Sequence, residues 1–348
     1  MEFSKILINW YLQNKRELPW RKTNDPFKIW LSEIMLQQTR VEQGMPYYFR
    51  FIVAFPTVFD LAAASQQEVL KLWQGLGYYS RARNLHDTAK YVSNELGGKF
   101  PDSYKGLLKL KGIGDYTASA IASICYDEPV AVVDGNVYRV LARYFGSATP
   151  INSSEGIKEF KALATELLDR DNPSAFNQAL MEFGALQCKP KNPLCVTCPF
   201  NNSCLALRDN RISELPVKLK KGKIRHRYFN YLVFNSEENT TLLHQRKGKG
   251  IWNGLYEFPL IETEKQLTAA EFLSEEELQQ KVGANAVVRL YNEKPVVHKL
   301  SHQHIYARFW IIEPQKVFEN AIPISKIAKY PVPVLIQNFL NEYEPADY

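Results

Sequence analysis

Cys188, Cys195, Cys198 and Cys204 stand in the spacing C-x6-C-x2-C-x5-C, close enough for their thiolates to share a metal centre. Two disulfides are the competing use. They are disfavoured here because the opening residues MEFSKILINWYLQNKRELPW mix charge with aromatics and show no secretory h-region, so a reducing intracellular setting is expected. Zinc is the general expectation for four cysteines, but its usual paired Cys-x-x-Cys knuckles are represented only by Cys195 and Cys198. An iron-sulfur cluster tolerates unequal spacing and nearby prolines such as Pro190, Pro193 and Pro199, and spacing alone leaves the two open. The fifth cysteine, Cys125, lies in an apolar helical stretch and is read as core.

The second stretch with chemistry in it is LKGIGDYTA, residues 110–118. A dinucleotide loop needs a preceding strand, a third glycine and an acidic residue some twenty positions later; the sequence before this stretch is helical and the third glycine is missing, as is the lysine of a P-loop. Helical sequence precedes it, so two helices joined by a tight glycine turn are expected. The free N–H groups of the second helix would then meet a phosphate, most naturally that of a DNA backbone.

The elements that must carry these residues divide the chain in two. At 348 residues, with 45% hydrophobic residues and no apolar run approaching the about 18 of a membrane span, a soluble chain of roughly two domains is expected. Up to residue 208 the pattern is helical. Asn24-Asp25-Pro26 supplies a cap and a first-turn proline for a helix through FKIWLSEIMLQQT, on which Trp30, Glu33 and Gln37 share one stripe. Residues 209–226 read as a basic linker; across 211–227 seven Lys or Arg face one Glu. The formal charge of +6 leans only mildly toward polyanions, and by charge alone a solvated linker is favoured over a phosphate-binding one. From 227 to 348, aromatic and β-branched segments (RYFNYLVFN, TTLLHQRK, LYEFPLI, VVRLYNEKPVVHKLSHQHIYARFWII, KYPVPV) surround one polar helical stretch, AAEFLSEEELQQKV, and predict an α+β domain.

L-x-G-x-G-x-x-T-A, then VDGNVYRV, then the four-cysteine loop resemble, in order and spacing, the helix-hairpin-helix DNA glycosylases of the endonuclease III superfamily over about residues 5–208. The resemblance implies a mainly α glycosylase domain at 1–208 whose loop 188–204 binds a [4Fe-4S] cluster through the four cysteines. It also implies a catalytic Asp134, Gly112 and Gly114 against the DNA backbone, and Tyr116 and Asn136 as supports around the sugar. Bifunctional members carry a Schiff-base lysine where this chain has Tyr116; a phenol cannot form that adduct, so a monofunctional enzyme is implied.

WLSEIMLQQTRV is similar to the MutY-type adenine glycosylases, which makes Glu33 the general acid. A lone Glu in an amphipathic helix is ordinarily a surface residue, and an isolated Asp-Gly-Asn is ordinarily an N-cap; the family positions reverse both readings. Adenine leaves only when a ring nitrogen is protonated, and the sugar left behind is cationic. One carboxyl must therefore be kept neutral by an apolar pocket and the other kept charged by hydrogen bonds or a helix N-terminus. The same resemblance implies an adenine pocket drawing on Arg16, Trp20, Leu36 and Gln178, and contacts to DNA or the opposite base from Gln38, Thr39 and Tyr78.

The run LLHQRKGKGIWNGLYEFPLIE resembles the early part of a Nudix fold. No Arg-Glu-x-x-Glu-Glu core follows, and Glu275–Glu277 read as a solvated helix face, so a binding role is expected in place of hydrolysis. Family members read 8-oxoguanine with Phe-Ser-His; here the residues are Leu300, Ser301 and His302. The expectation is an enzyme of base excision repair that removes adenine opposite 8-oxoguanine or guanine in double-stranded DNA. It is expected to be a cytoplasmic, nucleoid-associated monomer without membrane contact.

Overall fold

The computed structural model describes residues 2–343 except 221, 223, 237, 284–285 and 315–317. Lys221 and Lys223 of the basic linker therefore lie outside the described residues. The chain forms two compact units, one of residues 1–63 with 84–220 and the other of residues 64–83 with 221–348. Residues 64–83, written in the middle of the helical sequence, thus fold with the second unit.

In chain order the helical part comprises α1 (Glu2–Asn14), α2 (Pro26–Leu36), α3 (Val41–Ala54), α4 (Val58–Ala63), α5 (Gln66–Leu72), α6 (Ser80–Glu95) and α7 (Tyr104–Leu107). It continues with α8 (Asp115–Tyr126), α9 (Gly135–Tyr144), α10 (Ser154–Leu167), α11 (Pro173–Leu186) and α12 (Leu205–Arg208). Two helices sit at the centre of the first unit. α8 buries every residue from Thr117 to Ser123, a stretch of small and apolar side chains with no charge, and α2 packs on it. α11 packs on α8 and also receives α1 and α9. Leu7, Val137, Leu141, Phe160, Phe176 and Leu180 form the core between them.

Helix α2 begins as its sequence predicts: Asp25 caps it, its side chain accepting from the Phe27 N–H at 3.0 Å, and Pro26 opens the first turn. It ends earlier than expected, at Leu36. Gln37 is therefore the C-cap and leaves the stripe shared by Trp30 and Glu33. Its amide turns instead to donate to Thr117 Oγ1 at 3.1 Å on α8, a tertiary contact that outweighs one further turn of helix.

The second unit is built on a five-stranded sheet. Its strands are β1 (Arg225–Phe234), β5 (Leu260–Thr263), β6 (Val287–Leu290), β7 (Val296–Lys299) and β8 (Gln303–Glu313); β2 (Thr240–Thr241), β3 (His244–Gln245), β4 (Tyr256–Glu257) and β9 (Ile322–Pro323) form two small ladders. β1 and β8 run parallel at the centre, β5 joins β1 antiparallel, and β6 and β7 pair antiparallel with successive parts of β8. Side chains of β8 alternate buried and half-buried from Gln303 to Arg308, then stay buried from Phe309 to Ile312 where helices cover the sheet.

Two local expectations are corrected here. AAEFLSEEELQQKV forms two helices, α13 (Ala269–Leu273) and α14 (Glu276–Val282), because the first helix already closes at Ser274; Phe272 and Leu278 are buried while Glu276 and Glu277 face solvent. KYPVPV adds no strand: its two prolines cannot donate to a ladder, and Pro333 instead caps α15 (Val334–Glu342). Among the described residues no helix is long and apolar enough to cross a membrane.

Candidate active site

The packing of α2 and α11 on α8 and of α9 on α11 assembles side chains far apart in sequence. Glu33 projects from α2 and is 7% exposed. Tyr116, in the first turn of α8, donates its hydroxyl hydrogen bond to Glu33 Oε2 at 2.6 Å. Its hydroxyl oxygen also lies 3.7 Å from Met181 Sδ on α11. Burial pushes the Glu33 carboxyl up to about 7; the Tyr116 hydrogen bond and Arg21 oppose the rise, and the charge of Asp134 adds to it. Burial thus favours the protonated form of Glu33.

Asp134 is the N-cap of α9. Its Oδ1 accepts from the backbone N–H of Asn136 at 2.8 Å and of Val137 at 2.7 Å, and its Oδ2 accepts from Asn136 Nδ2 at 2.8 Å. Burial raises its pKa above the ordinary aspartate value, while these three donors and Arg139 pull it back toward the charged form. Every one of the three bonds is donated to the carboxyl, the arrangement that an ionised group takes. The N-cap expected of an isolated Asp-Gly-Asn is therefore present, in the same residue that faces Glu33 electrostatically.

The turn carrying Asp134 is held from three sides. Asn177 of α11, fully buried, accepts from Val132 N–H at 3.0 Å and donates to Val130 O at 2.8 Å, fixing the chain that leads in. Gly184 lies so close to Asn136 that an added Cβ would come within 2.6 Å of its Cβ and 2.9 Å of its carbonyl oxygen, so α11 can approach only without a side chain there. Arg139 donates to Asn136 Oδ1 at 2.8 Å, to Gly184 O at 2.6 Å and to Cys188 O at 2.7 Å, tying the Asp134 turn to the start of the cysteine loop.

Sequence reasoning missed Glu182. It is 1% exposed and accepts from the backbone N–H, Nε and Nη2 of Arg16 at 2.9, 2.9 and 2.6 Å and from both Arg21 terminal nitrogens at 2.9 Å. Burial would raise its pKa, but the two guanidinium groups overcome that and hold it at about 2. The available signal was that Glu182 is the one charged residue in PSAFNQALMEFGAL. Glu182→Ala would leave two guanidinium groups without their buried counter-charge and is expected to destabilise the protein by about 3–5 kcal/mol. The check is the shift of the urea unfolding midpoint.

The expected base-pocket residues separate. Arg16 and Gln178 line one polar cavity of about 420 Å³ with Tyr11, Lys15, Arg21 and Asn172; Gln178 accepts from the Tyr11 hydroxyl at 3.2 Å. Trp20 is buried and packs edge-on against Tyr48 at 5.2 Å, and Leu36 fills the space beside Gly44. Neither lines that cavity.

Of the residues expected at DNA, Gln38 is exposed with φ 55°, a left-handed conformation uncommon outside glycine, and Thr39 follows it at the start of the turn into α3. Gly112 makes the hairpin turn with φ 76°, and an added Cβ would sit 2.7 Å from Asn84. Gly114 has an ordinary negative φ, caps α8 and has open space beside its Cα. One glycine supplies the turn and the other leaves the helix N-terminus uncovered. In the second unit, Tyr78 is 47% exposed with φ 49°. Ser301 and His302 are exposed at the turn between β7 and β8, with Ser301 Oγ 3.4 Å from His302 Nδ1.

The four cysteines line a single cavity with Val140, Phe183, Leu194 and Phe200. All are free thiols, half-buried, and Arg143 Nη1 lies 3.4 Å from Cys188 Sγ while the same guanidinium bonds the carbonyls of Lys189, Pro190 and Leu215. Among the described residues no three metal-binding side chains are grouped as they would be around one ion. Four thiols around one shared apolar cavity are a soft, all-sulfur donor set, which fits either zinc or an iron-sulfur centre.

The HhH-GPD superfamily of base excision DNA repair proteins matches residues 31–165, and the Nudix domain matches residues 230–342. An adenine DNA glycosylase of Buchnera aphidicola subsp. Schizaphis graminum is 37% identical over 262 residues, 75% of each chain. The structure of a thermostable thymine-DNA glycosylase superposes with a TM-score of 0.55 at 31% identity, over 60% of this chain and 95% of that one. A trapped endonuclease III–DNA covalent intermediate, with a TM-score of 0.52 at 21% identity over 60% of this chain and 94% of that one, shares the helical fold. With the paired carboxyls, the hairpin and the Nudix-like sheet in place, the chain belongs to the adenine DNA glycosylase family and is a DNA glycosylase, a hydrolase of N-glycosyl bonds.

Proposed function

We propose that the protein excises adenine mispaired with 8-oxoguanine or guanine from double-stranded DNA in base excision repair. The observation that carries this reading is the pair of carboxyls in unlike settings: Glu33, lifted to about 7 by burial, and Asp134, held by three N–H donors. An extruded adenine receives a proton from Glu33 at a ring nitrogen, and the bond from base to C1′ breaks with its electrons going to the base. Asp134 stabilises the positive charge left on the sugar. Water then adds at C1′ and its proton returns to the Glu33 carboxylate, which leaves free adenine and an abasic sugar still in the strand.

Tyr116 orients Glu33 through its 2.6 Å hydrogen bond, and Asn136 orients Asp134. Tyr116, where a lyase would need an amine, supports hydrolysis without strand cleavage. Arg16 and Gln178, from their shared polar cavity, select the base, and Trp20 and Leu36, which lie apart from that cavity, contribute packing. Gln38, Thr39 and Tyr78 fill and grip the helix from which it has left, a step that costs a few kcal/mol of stacking and pairing. Gly112 and Gly114 bring the N-terminus of α8 to a backbone phosphate. Ser301 and His302 offer a hydroxyl and an imidazole to the opposite 8-oxoguanine, with Leu300 in contact through its aliphatic side chain. The basic stretch 209–226 adds phosphate attraction, and the protein acts as a monomer.

Cys188, Cys195, Cys198 and Cys204 would hold a [4Fe-4S] cluster, which would cross-link the loop and present positive protein surface to DNA. Burial raises the thiols of Cys195, Cys198 and Cys204, that of Cys198 to about 11; a bound cluster would supply the positive charge that favours their thiolate forms. Purified protein is expected to show the broad visible absorbance of iron-sulfur thiolates, and Cys198→Ser to lose most of it. A colourless protein containing stoichiometric zinc would overturn the cluster.

The direct test is release of adenine from duplexes carrying A:8-oxoG, A:G and A:T. Release from the first two and not the third is expected, without a borohydride-trapped adduct. Ser301→Ala with His302→Ala should lower the preference for A:8-oxoG over A:G by roughly 10-fold or more, the worth of one or two hydrogen bonds in a desolvated contact. An unchanged preference would move 8-oxoguanine recognition elsewhere.

A further inference from the structure

The segment 64–83 lies within the helical sequence yet is bound into the second unit by a set of polar contacts at both of its ends. After α5, the Gln74 amide donates from Nε2 to Gln337 Oε1 at 2.6 Å, and its Oε1 accepts from Val332 N–H at 3.4 Å and from Lys71 Nζ at 3.0 Å. Lys71 Nζ also donates to Tyr330 O at 3.1 Å, and Gln67 Oε1 accepts from the Tyr256 hydroxyl at 3.3 Å. Beyond the loop, Arg83 Nη1 donates to Asn253 O at 2.7 Å.

Between these anchors stands Tyr78. Its backbone is left-handed and its ring is half in solvent, an unfavourable combination for a bulky side chain unless the surroundings hold it. They do. The Arg81 guanidinium lies 5.4 Å from the Tyr78 ring centroid on one side and 5.2 Å from that of fully buried Trp73 on the other. Arg81 Nη2 and Trp73 Nε1 both donate to Gly77 O, at 3.2 and 2.9 Å, and Gly75 N–H donates to the Tyr79 hydroxyl at 3.2 Å. The aromatic ring is thereby presented to the outside in one orientation, with the cost of ordering it met before DNA arrives.

We propose that Gln74 and Arg81 are positioning residues for Tyr78, through which the second unit, by way of Gln337 and the Val332 backbone, sets the wedge that enters the duplex. The unit that carries Ser301 and His302 then also carries the tyrosine, so opposite-base reading and wedging belong to one compact unit. This inference rests on the reading of Tyr78 as a wedge.

The test is a double-mutant cycle of Gln337→Ala and Tyr78→Ala on an A:8-oxoG duplex with 2-aminopurine beside the opposite base. Unstacking fluorescence and single-turnover adenine release are both recorded. Gln337→Ala is expected to lower both by about 5-fold, the worth of one hydrogen bond, and to have no further effect once Tyr78 is alanine. Arg81→Lys, which keeps the charge and removes the planar stack, should behave in the same way. Equal factors in both backgrounds, or an unchanged fluorescence signal in Gln337→Ala, would overturn the positioning role. A wild-type signal in Tyr78→Ala itself would instead remove the wedge reading on which it rests.

Discussion

Glu33→Gln is expected to lower adenine release by about 10²–10⁴-fold, the range of general acid catalysis, with DNA binding retained. The amide keeps the shape of the side chain and can still meet the Tyr116 hydroxyl at its oxygen, but it has no proton to give to a departing base. The pH dependence carries the same claim in wild type. The acid must be protonated, and with Glu33 at about 7 the rate should hold below neutral pH and fall roughly tenfold per unit above it. The Gln variant should lack that alkaline limb.

Stability supplies an independent check with a definite sign. The folded-state pKa of Glu33 is raised from 4.5 to about 7, so the protonated form is favoured by folding. The associated stability is fully present below the unfolded-state value and is lost as pH rises through about 7. Its size is on the order of 3 kcal/mol, from the shift at 1.36 kcal/mol per unit. Glu33→Gln does not ionise and should escape this loss, so its melting temperature relative to wild type should rise between pH 5 and 8. Full excision activity in the variant would show that another group protonates the base.

Asp134→Asn is expected to be comparably severe, and it separates the observed N-cap of this residue from the catalytic role proposed for it. As an N-cap, asparagine serves about as well as aspartate toward the Asn136 and Val137 N–H groups, but its amide replaces the oxygen that accepts from Asn136 Nδ2, so α9 should survive with a loss of about 1–2 kcal/mol. As an anion beside a cationic sugar it fails altogether, and a loss of about 10²–10³-fold in single-turnover rate is expected, the scale found when one preorganised electrostatic contact to a transition state is removed. Charge removal should also relieve the Coulombic push on Glu33 and lower its pKa, displacing the remaining alkaline limb to lower pH. A variant that kept wild-type rates would make Asp134 a cap and nothing more. A variant that failed through unfolding would show itself in the melting curve.

Much of the site was legible because it is written in short local patterns. Asp25-Pro26 starts α2, the glycines of LKGIGDYTA make a helical hairpin, and Asp134-Gly135-Asn136 makes a cap, each through contacts to the next few residues. Gln37 was misplaced because its partner, Thr117, is 80 residues away. Glu182 escaped because a lone glutamate in an apolar helix can be a surface residue; only the arrival of Arg16 and Arg21 at its oxygens makes it a buried ion pair. Residues 64–83 read as one more stretch of the helical domain, and no local pattern distinguishes the helix Gln66–Leu72 from its neighbours. Its attachment to the second unit is made by Gln337, Val332, Tyr330, Asn253 and Tyr256, all far along the chain.

The sequence by itself determined the family, the order of the motifs, the cysteine loop and the exclusion of an amine nucleophile at position 116, since each depends on residue types at fixed spacing. Only the tertiary structure decided that Glu33 is buried with its carboxyl raised to about 7, that Tyr116 hydrogen-bonds it, that Asp134 takes three N–H donors, and that Tyr78 belongs to the second unit. The reason is physical: a pKa and a docked segment depend on burial and on partners brought from distant parts of the chain, and packing of α2, α8, α9 and α11 creates that environment where no local pattern can specify it.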